Sequence, residues 1–259
     1  MLLLILSACL FASGAYAQDL TVDEIVTKAN NRSYYQGKDG FARANMLVTD
    51  SQGRTRQRQL TILKLNLREG GDQKYFVYFH KPNDVKGMSY IVWKHPGRDD
   101  DRWLYLPAMD LVRRIAASDK RSSFAGTTFL YEDISGRPID LDEHELVSSE
   151  DGFYLVKNTP KDAGIVEFSY YTVKIDKNNF VPMRAEYFDR SGKLYRTIEA
   201  LEVKDIQGYP TVTKMKAIDL NANSNTVTEF SDIKYDVGLK EDIFTERFLR
   251  NPPQQWLKG

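Results

Sequence analysis

The side chains best suited to chemistry are few and scattered. The three histidines, His80, His95 and His144, show neither HxxxH nor HxH spacing, the arrangements that bring two imidazoles to one metal. Each reads as a strand or surface residue. Asp99-Asp100-Asp101 lacks the Gly and the terminal Glu that complete a calcium loop, so it reads as a solvated hairpin tip, and Asp140-Leu141-Asp142-Glu143 reads the same way. No GxSxG elbow, phosphate-binding GxxxxGK[ST] or GxGxxG turn occurs. The 36 Asp and Glu residues offer many carboxylate pairs for glycosidic chemistry, but no spacing singles one out. Arg113-Arg114, set between Leu111, Val112 and Ile115, is the one basic pair embedded in apolar neighbours. It is a candidate partner contact, weighed against the plainer reading of charges that protect an edge strand. The residues call for no metal and no cofactor.

The charge balance removes further classes. Against those 36 acids stand 36 Lys and Arg, a formal net charge of zero. Such a chain has no field with which to attract a polyanion, so nucleic-acid binding through counterion release has no basis. Met1–Ala17 is an uncharged apolar run ending in Ala15-Tyr16-Ala17, the small-x-small pattern of a signal-peptidase site. Residues 1–17 are therefore expected to be a secretory signal cleaved after Ala17, and residues 18–259 to form one exported domain. Leu6-Ser7-Ala8-Cys9 also fits a lipoprotein-type signal, but too few residues precede it for a full leader. Cleavage at Ala17 would remove the sole Cys and with it any thiol chemistry or disulfide.

The elements that would have to position a site are mostly strands. Thr21-Val22-Asp23-Glu24 is a capping box, and Val22, Ile25, Val26 and Ala29 follow at helical spacing, which predicts a helix over 21–32. From Phe41 the period becomes two. Candidate strands are 41–49, 54–65, 74–80, 88–94, 101–106, 111–116, 143–149, 152–158, 165–176, 181–189, 193–204, 210–220 and 226–235, separated by turn clusters such as Asp50-Ser51-Gln52-Gly53 and Asp189-Arg190-Ser191-Gly192. Strands at short spacing without intervening helices predict an antiparallel meander. Tyr75–Phe79 is apolar on both parities, so it should be covered on both sides. Ser118–Ile134 breaks the alternation and carries Phe124, Phe129, Leu130 and Tyr131. It reads as a crossing loop or short helix that inserts aromatics into the concave side of the sheet.

With 3 Trp, 15 Tyr and 13 Phe, aromatics make up 12% of the chain. An aromatic-lined sheet with a helix at one end, an aromatic crossing segment and no catalytic set describes a container for an apolar ligand. The same aromatics would also be explained as the filling of a β core.

Trp103-Leu104-Tyr105-Leu106-Pro107-Ala108, then Val112-Arg113-Arg114-Ile115, then Ser123-Phe124-Ala125-Gly126-Thr127-Thr128-Phe129-Leu130-Tyr131-Glu132-Asp133-Ile134 resembles the outer-membrane lipoprotein-sorting proteins, the LolA-like family. The similarity is greatest to the branch found beside RND/MMPL-type transporters. Pro82–Met88, Ser231–Leu239 and Phe244-Thr245 add to it, so that it runs from about Leu20 to Leu249. The resemblance implies a half-open antiparallel β-barrel, mainly β, with an N-terminal helix and a helical or loop lid covering the concave face. It implies a monomeric, non-enzymatic periplasmic carrier of lipid or lipoprotein acyl chains towards the outer membrane, served by an inner-membrane RND/MMPL-type transporter.

Strand parity then suggests which side chains line the acyl cavity: Met46, Leu63, Val77, Phe79, Ile91, Trp93, Tyr105, Phe168, Tyr170, Met183, Tyr187 and Met215, with Phe124 and Phe129 in the lid. A register error of one residue would move a whole set to the other face. Two competing readings are a hydrolase acting on lipid or glycan with a dispersed acidic site, and a transporter accessory without cargo.

Overall fold

The structure, a computed structural model, describes residues 20–257. The expected signal segment 1–17 and Cys9 lie outside the described residues. Helix α1, Val22–Tyr34, starts as its sequence requires: the Thr21 hydroxyl accepts the Glu24 N–H at 3.3 Å and the Glu24 carboxylate accepts the Thr21 N–H at 2.8 Å. Its apolar stripe of Ile25, Val26 and Ala29 packs on Val156 and Ile175 of the sheet.

Thirteen strands follow: β1 Asp39–Thr49, β2 Thr55–Asn66, β3 Gln73–Lys81, β4 Ser89–Lys94, β5 Asp101–Leu106, β6 Leu111–Arg114, β7 Asp142–Glu150, β8 Phe153–Pro160, β9 Phe168–Asp176, β10 Pro182–Asp189, β11 Leu194–Ile206, β12 Tyr209–Asp219 and β13 Ser224–Tyr235. They form one antiparallel sheet in the order β6-β5-β4-β3-β2-β1-β13-β12-β11-β10-β9-β8-β7. Two meanders are thus joined by the pairing of β1 with β13, in which Met46 lies opposite Thr228. The sheet does not close on itself, so the fold is a half-open barrel.

This order has a topological consequence. β6 and β7 are neighbours in sequence yet lie on opposite edges of the sheet. The connection 115–141, with the short helix α2 at Tyr131–Ser135, must therefore cross from one edge to the other. It crosses on the face that carries α1. Phe124 lies 5.6 Å from Phe79 and 5.4 Å from Tyr90 between ring centroids, and the Thr128 N–H donates to the Thr226 hydroxyl at 2.9 Å.

Strands β2 to β4 are covered on both faces, as their double apolar parity requires. On one face Tyr75, Val77, Phe79 and Tyr90 pack with Phe124, Phe129 and Tyr131. On the other, Leu63, Phe76, Ile91 and Trp103 pack with Leu239, Ile243, Phe244 and Leu249 of the carboxyl-terminal segment, which contains α3, Arg247–Arg250, and α4, Gln254–Leu257. The buried Asp39 carboxylate anchors that segment by accepting the N–H groups of Val237, Gly238 and Leu239 at 2.7, 3.0 and 2.9 Å. Among the described residues no helix is long and apolar enough to cross a membrane.

Candidate functional site

A cavity of about 450 Å³ lies between α1, the crossing segment and the concave face of the sheet. Its wall is mostly aliphatic and aromatic. Val26 and Ala29 come from α1; Ala44, Met46, Leu60, Ile62, Tyr75 and Val77 from β1 to β3; Val156, Val173, Ile175, Ala185, Ile198, Val212, Met215 and Phe230 from the second meander; Phe124, Phe129 and Ile134 from the crossing segment. An apolar wall with few polar groups suits an apolar guest, each buried methylene of which gains about 0.8 kcal/mol.

Of the residues expected from parity to line a cavity, Met46, Val77, Tyr187 and Met215, with Phe124 and Phe129 of the crossing segment, stand on this wall. The others do not, for three separate reasons. Leu63, Ile91, Trp93 and Tyr105 belong to the opposite face, under the carboxyl-terminal segment, where the Trp93 indole N–H donates to the Phe244 carbonyl at 2.6 Å. In β2 to β5 both parities are apolar, and parity could not say which was concave. Phe79 is on the concave side but sealed beneath Phe124.

The third reason is bulging of β9 and β10. Ser169 is an extra residue in β9 against β10, so Phe168 and Tyr170 are not on one face: Tyr170 stacks on Phe188 at 4.6 Å, and Tyr171, Val173 and Ile175 supply the wall. Met183 is an extra residue in β10, and Pro182 takes the wall position instead. Phe168 itself is fully buried below two guanidinium groups, Arg121 at 4.9 Å and Arg137 at 5.4 Å from its ring.

Those arginines belong to an ionic cluster that fixes the crossing segment. Arg121 bonds Glu132 at 2.5 Å and Glu167 at 2.6 Å; Arg137 grips Asp142 in bidentate fashion at 2.8 and 2.9 Å; Arg196 pairs with Asp133. Tyr171 and Tyr195 complete it by donating to Asp142 and Glu167 at 2.8 and 2.9 Å. Burial works against charge on Arg121, but Glu167 and Glu132 outweigh it and hold the guanidinium above its usual value. Burial would likewise raise Glu167, and its bond from Arg121 reverses the sign, leaving the carboxyl below the usual range. The sequence reading missed this cluster because its members are spread from 121 to 196. Asp142 in particular is no solvated loop acid, being 2% exposed.

Asp99-Asp100-Asp101 also differs from the solvated tip expected. Asp100 is buried, pairs with Arg102 at 2.6 Å and accepts the Ser135 hydroxyl at 3.2 Å. Nearby, buried Lys94 donates to the carbonyls of Ser135 and Gly136 at 2.5 and 3.2 Å, satisfying the end of α2. The histidines are apart: His80 meets Thr61 at 2.9 Å, His95 lies between Asp72 and Asp101 at 3.1 and 3.2 Å, and His144 between Asn158 and the Ile139 carbonyl at 2.7 and 2.9 Å. Arg113 and Arg114 lie on the exposed edge strand β6, facing Asp119 at 3.6 Å and Asp101 respectively. Among the described residues no group of three or more His, Cys, Asp or Glu side chains is gathered to hold a metal.

A half-open antiparallel barrel enclosing a helix and an apolar cavity defines a LolA-like protein. A family model described as that of an uncharacterized protein matches residues 71–251, well over half of the chain, and the chain belongs to that family. Solved structures agree with the class. A DUF1329 family protein from Desulfovibrio piger is 29% identical with a TM-score of 0.80, over 87% of this chain and 96% of that one. A putative outer membrane lipoprotein-sorting protein domain from Vibrio parahaemolyticus is 27% identical with a TM-score of 0.78, over 88% and 97%. A LolA superfamily protein from Nitrosomonas europaea shares the fold at 19% identity and a TM-score of 0.68, over 89% and 100%. Comparison with curated proteins gives no match. None of these three solved structures is described as an enzyme, and one is described as a lipoprotein-sorting domain.

Proposed function

We propose that this chain is a periplasmic carrier that shelters an acyl chain of a lipid or lipoprotein in the cavity beneath residues 115–141 and takes part in its transport towards the outer membrane. The observation that carries the reading is the cavity itself: about 450 Å³, walled by aliphatic and aromatic side chains from nearly every layer of the fold. Its likeness to a lipoprotein-sorting domain supports the compartment and the direction. The chain acts as a monomer of one domain, residues 18–259, after cleavage behind Ala17. An inner-membrane RND/MMPL-type transporter is the partner, and Arg113 and Arg114 on the exposed edge strand β6 are where it makes contact.

The test uses protein exported with its own leader and purified without detergent. Organic extraction followed by mass spectrometry is expected to release lipid in stoichiometric amount from the native chain, and clearly less from Met215→Trp, whose indole projects into the cavity. Native protein free of lipid, both as purified and after incubation with membrane extract, would end the carrier reading.

A further inference from the structure

The cavity wall is not electrically uniform. Glu132, Asp133 and Arg137 reach it already paired, with Arg121, Arg196 and Asp142 respectively. Arg32 and Lys64 also stand on the wall, and among the described residues neither forms an ion pair. Both bind the same residue where α1 ends: Arg32 Nη1 donates to Gln36 Oε1 at 3.2 Å, and Lys64 Nζ donates to the Gln36 and Tyr34 carbonyls, each at 2.9 Å. Arg32 Nε donates to the Asn179 carbonyl at 2.8 Å.

Satisfying the last carbonyls of a helix is an ordinary use for a lysine. The bonds named above engage two of the three N–H donors of Lys64 and two of the five of Arg32, and leave the remainder of both groups without a protein acceptor. Burial lowers Lys64 to about 8, so the ammonium is still charged at neutral pH. Asp236 and Asp39 favour the charge on Lys64 from a distance without pairing with it; two cations on a largely apolar wall, with donors to spare and no paired carboxylate, match an anion at the end of an apolar chain.

We propose that the ligand is an anionic lipid, a fatty acid or an acyl phosphate, whose apolar chain lies in the cavity and whose head group is held by Lys64 and Arg32. This rests on the reading of the cavity as an acyl site. The experiment titrates delipidated protein with palmitate, palmitoyl lysophosphatidate, uncharged monopalmitoylglycerol and a tripalmitoylated lipopeptide, following stoichiometry by native mass spectrometry. At least one of the two anions is expected to bind one per chain and about tenfold tighter than monopalmitoylglycerol, a difference of about 1.4 kcal/mol. Palmitate as the tighter ligand points to a carboxylate head, lysophosphatidate to a phosphate. Arg32→Gln and Lys64→Gln should each abolish that preference while leaving monopalmitoylglycerol binding as it was. If Lys64→Gln fails to melt cooperatively, Arg32→Gln, on a partly exposed helix face, decides. Equal binding of charged and uncharged chains, a preference that survives Arg32→Gln, or tighter binding of the lipopeptide overturns this proposal and leaves the acyl cavity standing. Failure of all four lipids to bind overturns both.

Discussion

Arg196 of β11 and Asp133 of α2, 63 residues apart in sequence, form an ion pair in which the arginine is only 3% exposed. That pair ties the crossing segment to the second meander. Phe124, on the same segment, is 1% exposed and packs against the first meander. The segment is therefore held at both ends, by charge on one side of the cavity and by apolar contact on the other.

Breaking the ionic end should be expensive. Asp133→Leu or Arg196→Met leaves one buried charge unpaired, a loss of about 3–5 kcal/mol. The double variant Asp133→Leu/Arg196→Met should cost clearly less than the sum of its single changes, because no charge is stranded. Urea unfolding of the four proteins measures this, and hydrogen exchange over residues 115–141 should rise in each single variant. Additive losses would show that the pair does not couple the two elements.

At the apolar end, Phe124→Ala removes a fully enclosed ring that touches Phe79, Tyr90 and Tyr131. The expected loss is about 3–5 kcal/mol. Thermal melting checks it, with Met109→Ala as a comparison: Met109 is 64% exposed and should change stability by less than about 0.5 kcal/mol.

Alkaline stability should pass through a maximum. Burial lowers Lys64 and Lys94 to about 8 in the folded chain. An unfolded lysine holds its proton to about 10.4. Between these values the unfolded chain binds more protons, so stability rises with pH. Burial raises the phenols of Tyr34, Tyr75, Tyr90 and Tyr171. Above about 10, where unfolded tyrosines ionise, the folded chain therefore binds more protons and stability falls. Urea midpoints should climb from about pH 8 and turn over near pH 10. A steady decline across that window would contradict the burial of both lysines.

Asp39→Ala should loosen the carboxyl-terminal cover without emptying the cavity. Three backbone N–H groups lose their acceptor, for a cost of about 2–3 kcal/mol. Limited proteolysis should then cut within residues 237–257 while lipid binding persists. Loss of binding together with cleavage would mean that the two faces of the sheet are not independent.

The sequence by itself determined the strands, the cap of α1 and the crossing segment, because each rests on local chemistry. Period-two alternation marks a pleated strand, Gly and Asp mark its turns, and Thr21 with Glu24 makes a reciprocal pair four residues long. All thirteen expected strands occur, most with ends shifted by no more than two residues. Of the fourteen side chains expected on the same terms to line a cavity, Met46, Val77, Tyr187, Met215, Phe124 and Phe129 stand on the wall.

What only the tertiary structure decided is which face became the inside. Alternation defines two faces but not the concave one, and Leu63 and Ile91 are as apolar as Ile62 and Val77. The carboxyl-terminal segment, closing over one face from some 150 residues away, made that choice. A single extra residue, Ser169 in β9 or Met183 in β10, reverses parity without a mark in composition. Lys64 and the Arg196–Asp133 pair took their roles only when β1 met β13 and the chain had to cross between its own edges.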